Sequence, residues 1–472
     1  MEIFRYRSFE RGLQEITNQT IYFAARNELN DPVVEGYINV YWEGDKIAWN
    51  RLFRNYVCSL YRALMGYLLQ GKEEDIRQKA AIEDVHYFDD VPFGKILKEL
   101  GDSFLQHDLV QRFSAIFDKL KVRISRDDLI ICLRFIHHFA LIDTLSSFLS
   151  HGSESEEIRN LCSKLQEQAK RMAYKAEHDK IWEQDQGIRQ KLFHHLVNVY
   201  NDTFQQIYAS VTDAQKRTWL TVMVDFPKAY VDNLEKFIHP DVYMACFSGN
   251  GNDNSMWGQY AESHCGMCMI YKPHMVNGRN AISLLLPYMY SKDGRTDRYQ
   301  DSILYPINYG GTVREANFFT MLGRLTGKQL HDWLSDNNGN RSRCLNQIYD
   351  NEETWRKEYW DCLYDRYCHK TKDWSHENEY RLLLTNIFHD FSEHDSRIIK
   401  YQFSNLKGVI LGMQMSPENR SKVLDTIREK CQEIGRTDFE VYVAEYDYST
   451  DSITRRRIDS IGMFKETNSS KA

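Results

Sequence analysis

The sequence predicts a mixed α/β (α+β) fold, in which a mostly antiparallel sheet domain is assembled from both chain ends and interrupted by a large α-helical insertion. Three observations predict it. β-Prone runs occur near the start and again after residue 240, and between them apolar residues recur at helical spacing. The chain of 472 residues, 42% hydrophobic and 13% aromatic with only 8 prolines, has material for a sizeable core and little room for disorder.

Residues 1–43 read as strands and turns. Ile21-Tyr22-Phe23-Ala24-Ala25 is β-prone, and Asn27 to Pro32 supplies turn chemistry closed by a proline. From 44 to 239 the pattern is helical. Ile158, Leu161, Cys162, Leu165, Ala169, Met172 and Ala176 repeat at three and four residues, and Leu192, Leu196, Val199, Thr203 and Ile207 do the same, which marks an α-helical block. Ser125 and Asp128 ahead of Leu129 predict a capping box with Asp in place of Glu, and Gly152-Ser153 predicts that helix's end.

Strand signals return at 242–248, 266–271, 380–385, 408–412 and 439–446, with further helices expected near 315–365 and 416–434. The expected organisation is an α/β domain of 1–43 plus 240–460, a helical insertion of 44–239, and a flexible tail of 461–472.

A net charge of -7 supplies no long-range pull toward a polyanion, so a nucleic-acid partner is not expected, and Arg455-Arg456-Arg457 reads as a solvated strand or tail. The N-terminus lacks the apolar run of a secretory signal. Residues 129–149 are apolar but include Arg134, His137, His138 and Asp143, which fits a buried helix better than a membrane span. Ten cysteines without a secretory signal point to reduced thiols, and the expected location is cytoplasmic with no membrane partner. Cys265 and Cys268 form a lone CxxC, for which Cys362, Cys368 and His369 offer no standard second pair. Adjacent histidines on a helix, as at His137-His138 and His194-His195, point about 100° apart and cannot chelate one ion. No metal is predicted.

Phe4-Arg5-Tyr6-Arg7, Leu29-Asn30-Asp31-Pro32, Cys246-Phe247-Ser248, Ser255-Met256-Trp257-Gly258-Gln259-Tyr260-Ala261, Gly266, the Trp374, Glu377, Glu379-Tyr380-Arg381 series and Gly408-Val409-Ile410-Leu411-Gly412 occur in that order. The series resembles a bacterial family known only as a domain of unknown function, number 2971, over 1–43 and 240–448. Members of that family are often found near phage-defence genes, which implies an anti-phage effector.

More distantly the order is similar to the Arg, Ser, Glu-x-Glu arrangement of ADP-ribosyltransferases. That resemblance implies NAD as substrate, held by Arg7 or Arg5 and by Ser248. Trp257 or Tyr260 would stack on nicotinamide, and Glu379 would be catalytic with Glu377 assisting. Two carboxylates at i and i+2 of a strand share one face, and a planar guanidinium suits bidentate oxygen recognition. Asn30, Asp31, Trp374 and Arg381 complete the candidate set. The alternatives are a metal-dependent nuclease with Asp31, Glu377 and Glu379 as ligands, and a non-catalytic sensor or adaptor that captures a protein partner through the helical block.

Overall fold

A computed structural model describes residues 1–31, 36, 38–68, 73–82, 92–121, 123–150, 156–178, 182, 185–292, 294–387 and 389–458. The expected tail 461–472, the helix end at Gly152-Ser153 and Pro32 of the turn motif lie outside the described residues.

The chain forms two compact units, one of 1–37, 241–313 and 363–472 and the other of 38–240 and 314–362. The first is built on an eight-stranded sheet. In chain order its strands are β1 (Ile3–Arg7), β2 (Val242–Ser248), β3 (Met267–Tyr271), β4 (Tyr305–Pro306), β5 (Glu379–Thr385), β6 (Leu406–Leu411), β7 (Glu440–Asp447) and β8 (Ser452–Arg457). In space they run β4-β5-β2-β1-β3-β6-β7-β8. Every pairing is antiparallel except that of β6 with β7. The mixed, mostly antiparallel sheet is therefore assembled from both ends of the chain, and the predicted strand runs all fall in it apart from 21–25.

Alternation along these strands divides the apolar residues between two faces. One face holds Ile3, Ala245, Phe247, Met267, Met269, Tyr271 and Leu382. Helices Phe9–Asn18 and Pro417–Glu433 cover it, the latter burying Val423 and Ile427. The opposite face holds Phe4, Tyr6, Cys268, Ile270 and Ile410 against Met256 and Trp257 of helix Asn254–Tyr260. Gly266 and Gly412 let two backbones meet at the edge of the β3–β6 pair. Gly412 N–H donates to Gly266 O at 2.9 Å, and a Cβ at Gly266 would collide with the Arg7 carbonyl.

A three-stranded sheet projects from this unit, with strands His274–Val276, Arg279–Ser291 and Gly294–Ile303. Its long hairpin was not legible as strand and turn signals. The expectation of strands and turns alone over 1–43 also needs correction. Phe9–Asn18 is a helix, because Phe9, Leu13 and Ile16 repeat at i, i+4 and i+7 and pack against the sheet.

The second unit is mainly helical. Helices Lys46–Leu68, Arg126–Ser150, Glu156–His178 and Gln186–Ser210 are its long members. The predicted capping box is present: Asp128 Oδ2 accepts from Ser125 N–H at 2.9 Å and Ser125 Oγ from Asp128 N–H at 3.2 Å. Arg126–Ser150 is long and apolar enough to cross a membrane, but 61% of its apolar window is buried inside the protein. His137 sits within that core, hydrogen-bonded to the Tyr56 hydroxyl at 2.7 Å and to Met223 O at 3.1 Å. Burial pulls its pKa down to about 3, so it is neutral.

Residues 314–362 belong to this unit and not to the sheet domain as expected. Strand Glu315–Asn317 pairs in parallel with Asn39–Trp42, and Phe318, Phe319, Trp333 and Leu345 share one core with Trp42 and Trp49. Of the two periodic sets, the first has Cys162, Leu165 and Ala169 buried. The second is turned outward: Leu192, Val199 and Ile207 are exposed, and Phe193, Val197 and Phe204 of the same helix are buried in their place.

Candidate functional site

The candidate residues fall into two groups, sorted by strand register. Phe4 of β1 lies opposite Ser248 of β2, and Ser248 lies opposite Glu379 of β5. Residues opposite one another share a face, so Ser248, Glu379 and, two positions on, Arg381 project to the side of Phe4 and Tyr6. Arg5 and Arg7 have the other parity. They lie opposite Met269 and Met267 and project to the side of helix Phe9–Asn18. The sheet thus separates the guanidiniums of β1 from the acid pair, and the expected arrangement in which one ligand spans Arg7 and Glu379 is corrected on this ground.

On the β1 side the guanidiniums have an internal partner that the sequence reading missed. Arg5 Nε donates to Glu15 Oε2 at 3.0 Å and Arg7 Nε to Glu15 Oε1 at 2.8 Å. Arg5 also donates to Cys246 O and Tyr22 O, at 3.0 and 3.1 Å. Burial pushes the Glu15 carboxyl up, but the two guanidiniums outweigh it and hold it below the usual carboxylate range.

On the other side a chain of hydrogen bonds ties together Asn30, Tyr260, Glu377, Lys370, Glu379 and Arg381. The Asn30 amide donates to the Tyr260 hydroxyl, which donates to Glu377 Oε1 at 2.6 Å. Lys370 Nζ bridges the acids, 2.6 Å from Glu377 Oε2 and 2.8 Å from Glu379 Oε2. Arg381 forks onto Glu379, Nε to Oε1 at 2.7 Å and Nη2 to Oε2 at 3.1 Å, and its Nη1 donates to Tyr367 O at 2.7 Å. Lys370, Glu377, Glu379 and Arg381 are 5%, 3%, 5% and 1% exposed, so the four charges form a closed buried quartet.

Electrostatics follow from that closure. Burial pushes the Glu379 carboxyl up, but Arg381 and Lys370 outweigh it and bring it down to about 2. It is a carboxylate at every physiological pH and holds no proton to give. Burial raises the Tyr260 hydroxyl above its ordinary value, and the Glu377 carboxylate that accepts from it raises it further.

The backbone holds this arrangement in place. Glu377 ends a 3-10 turn, Lys372–Glu377, Asn378 adopts a left-handed conformation at φ 43°, and Glu379 opens β5. The two acids are therefore not neighbours on one strand face, as i and i+2 spacing suggests. They converge because Asn378 reverses the chain and Lys370 draws them together. Ser248, 1% exposed, donates from Oγ to Glu377 O at 2.7 Å and pins the turn. Glu379 N–H donates to the Tyr309 hydroxyl at 2.7 Å.

Lys370 arrives on a short strand, His369–Lys370, paired in parallel with Asn308–Tyr309. Nothing in its local sequence marks it, because only that pairing brings it to the acids. Glu15 had a weak signal, an acid on the sheet-facing side of an amphipathic helix.

The remaining candidates take structural positions. Trp257 is fully buried, donates to Gly251 O at 3.1 Å and meets Tyr6 edge to face, so it offers no surface for a stacked ring. Trp374 is half-buried, with its ring 5.2 Å from Lys370 Nζ. Among the described residues no group of three or more His, Cys, Asp or Glu side chains converges as for a metal ion, so Asp31, Glu377 and Glu379 do not form a ligand set. Arg455, Arg456 and Arg457 lie on β8 and pair with Glu2, Glu445 and Glu440.

The helical unit has an open cleft of about 450 Å³, lined by Tyr41, Arg123, Asp127, Lys191, His194 and Glu315 among others, none of them a predicted site residue. Four of its charges pair with one another, Arg123 with Glu315 at 2.6 Å and His194 with Asp127 at 2.8 Å.

The fold and the quartet define an α/β sheet protein with a helical unit and a buried ionic core. The model of a family described as "Protein of unknown function (DUF2971)" matches residues 256–382. That segment contains Trp257, Tyr260, the projecting hairpin and all four charges of the quartet, and excludes Arg5, Arg7 and Glu15. No curated protein and no solved structure shows significant similarity to the chain.

Proposed function

We propose that the protein acts by binding, as a sensor or adaptor in bacterial anti-phage defence, and that it neither consumes NAD nor cleaves nucleic acid. The observation that carries this reading is the closed state of the acid pair. A catalytic carboxylate must touch its substrate, and Glu379 has both oxygens engaged by Arg381 and Lys370 at 5% exposure. Opening it would strip partners from buried charges, which is strongly unfavourable. The guanidinium that would clamp NAD points to the other side of the sheet.

The projecting hairpin is the binding surface of this proposal. Beyond Pro287 its strands are exposed on both faces, with Tyr288, Met289 and Tyr290 at 56%, 53% and 59%, and Tyr299, paired with Leu285 just before that point, is 47% exposed. A two-stranded ribbon this exposed is marginal by itself, even with the Tyr290 ring 5.5 Å from that of His389, and aromatic residues and Met are enriched where proteins meet. The ribbon lies within the family-matched segment, and its occupant in this reading is a partner protein.

The test has two arms. Titration of the full chain with NAD should release neither heat nor nicotinamide, and magnesium should elicit no cleavage of DNA or RNA. Tyr288→Ser combined with Tyr290→Ser should abolish phage protection in cells at an unchanged melting temperature. Release of nicotinamide from NAD by the purified wild-type chain above the rate without protein would sink the proposal.

A further inference from the structure

Helix Gln186–Ser210 of the helical unit has apolar residues on two sides. One side, with Phe193, Val197 and Phe204, is buried. The other carries Ile188, Leu192, Val199 and Ile207, which are 62%, 42%, 47% and 48% exposed. With exposed Thr203 they are spaced by four, seven, four and four residues, which lines them up along one stripe. Isolated exposed apolar residues are ordinary, whereas a stripe at helical spacing on a helix already anchored by its other side marks a contact face.

We propose that this stripe is a homodimer interface, in which a second copy packs its own Gln186–Ser210 helix antiparallel on the first about a twofold axis. The stripe reads nearly alike in both directions. With the axis between Val197 and Asn198, Ile188 meets Ile207 of the second copy, Leu192 meets Thr203, and half-buried Leu196 meets Val199. A face that complements itself in this way is what a closed twofold contact requires.

The flanking charges select the direction. Lys191 and Asp202 are both exposed and lie on the same flank of the stripe. The antiparallel alignment puts the same flank of both copies on one side of the seam and brings each Lys191 near the Asp202 of the other copy, whereas a parallel twofold puts that flank on opposite sides of the seam and leaves the pair unformed. The 25-residue helix is ~37 Å long, enough for several turns of interdigitation.

Sedimentation of the full chain tests this. The wild type should sediment as a dimer at micromolar concentration, and Leu192→Glu with Val199→Glu should sediment as a monomer with an unchanged circular dichroism spectrum. Asp202→Lys should weaken self-association roughly tenfold, since each dimer contains the contact twice. Adding Lys191→Asp to it should restore wild-type association, which a merely damaged helix would not do. A wild type that stays monomeric at about 100 µM, a dimeric double-glutamate variant, or a charge swap without rescue would overturn the proposal.

Discussion

The two faces of one sheet carry buried ionic clusters of opposite design. Toward helix Phe9–Asn18, Arg5 and Arg7 share the single carboxylate of Glu15, and the carbonyls of Cys246 and Tyr22 accept from two more Arg5 donors. Toward helix Asn254–Tyr260, two cations face two acids, and Lys370 touches both. The first cluster is local in sequence on one side, its acid eight and ten residues from its cations. The quartet is compact too, from Lys370 to Arg381, but its residues come from a short strand, a 3-10 turn and the start of β5. The lesson is that charge pairing fixes how the strands dock on each face, while neither cluster leaves a carboxylate free for a ligand.

The sharpest way to break this symmetry is Lys370→Met. It leaves Glu377 and Glu379 buried with one cation, and removing one member of a buried pair typically costs about 3–5 kcal/mol. Urea denaturation should show that loss, and a change below ~1 kcal/mol would mean the quartet is looser than its geometry. The pH dependence of stability comes next. Glu379 is displaced downward in the folded state, from an ordinary 4.5 to about 2. Its contribution is therefore full above pH 4.5 and is lost as pH falls through 2, on the order of 3 kcal/mol. Melting temperature measured from neutral to acid pH should fall in that window, and Glu379→Gln should flatten the slope. The smallest effect is expected on the other face. Arg7, whose side chain is 23% exposed, holds a carboxylate that Arg5 also holds, so Arg7→Ala should cost about 1 kcal/mol or less. A loss as large as that of Lys370→Met would make the two clusters equivalent.

Legibility followed the range of the interaction. The run 242–248 reads as a strand from its β-branched and aromatic residues, and β2 spans Val242–Ser248. The capping box of Ser125 and Asp128 needs only three residues of chain to form, and it does. The helix Gln186–Ser210 was legible as a helix but not in its orientation. Leu192, Val199 and Ile207 and Phe193, Val197 and Phe204 are both periodic sets, and a period of 3.6 does not say which one meets the core. The Glu377–Glu379 spacing suggested one strand face, and the left-handed Asn378 between them was not visible in the pattern.

Local sequence thus determined the element types, the assembly of a mostly antiparallel sheet from both chain ends, and the buried character of Arg126–Ser150, because propensity, capping and apolar content act over a few residues. Only the tertiary structure decided that Arg7 and Glu379 stand on opposite faces, that Lys370 reaches the acids, and that residues 314–362 join the helical core. Those outcomes rest on register, since a slip of one residue between β1 and β2 would send Arg5 and Arg7 to the other face, and register is set by the summed packing of both faces rather than by any short stretch of chain.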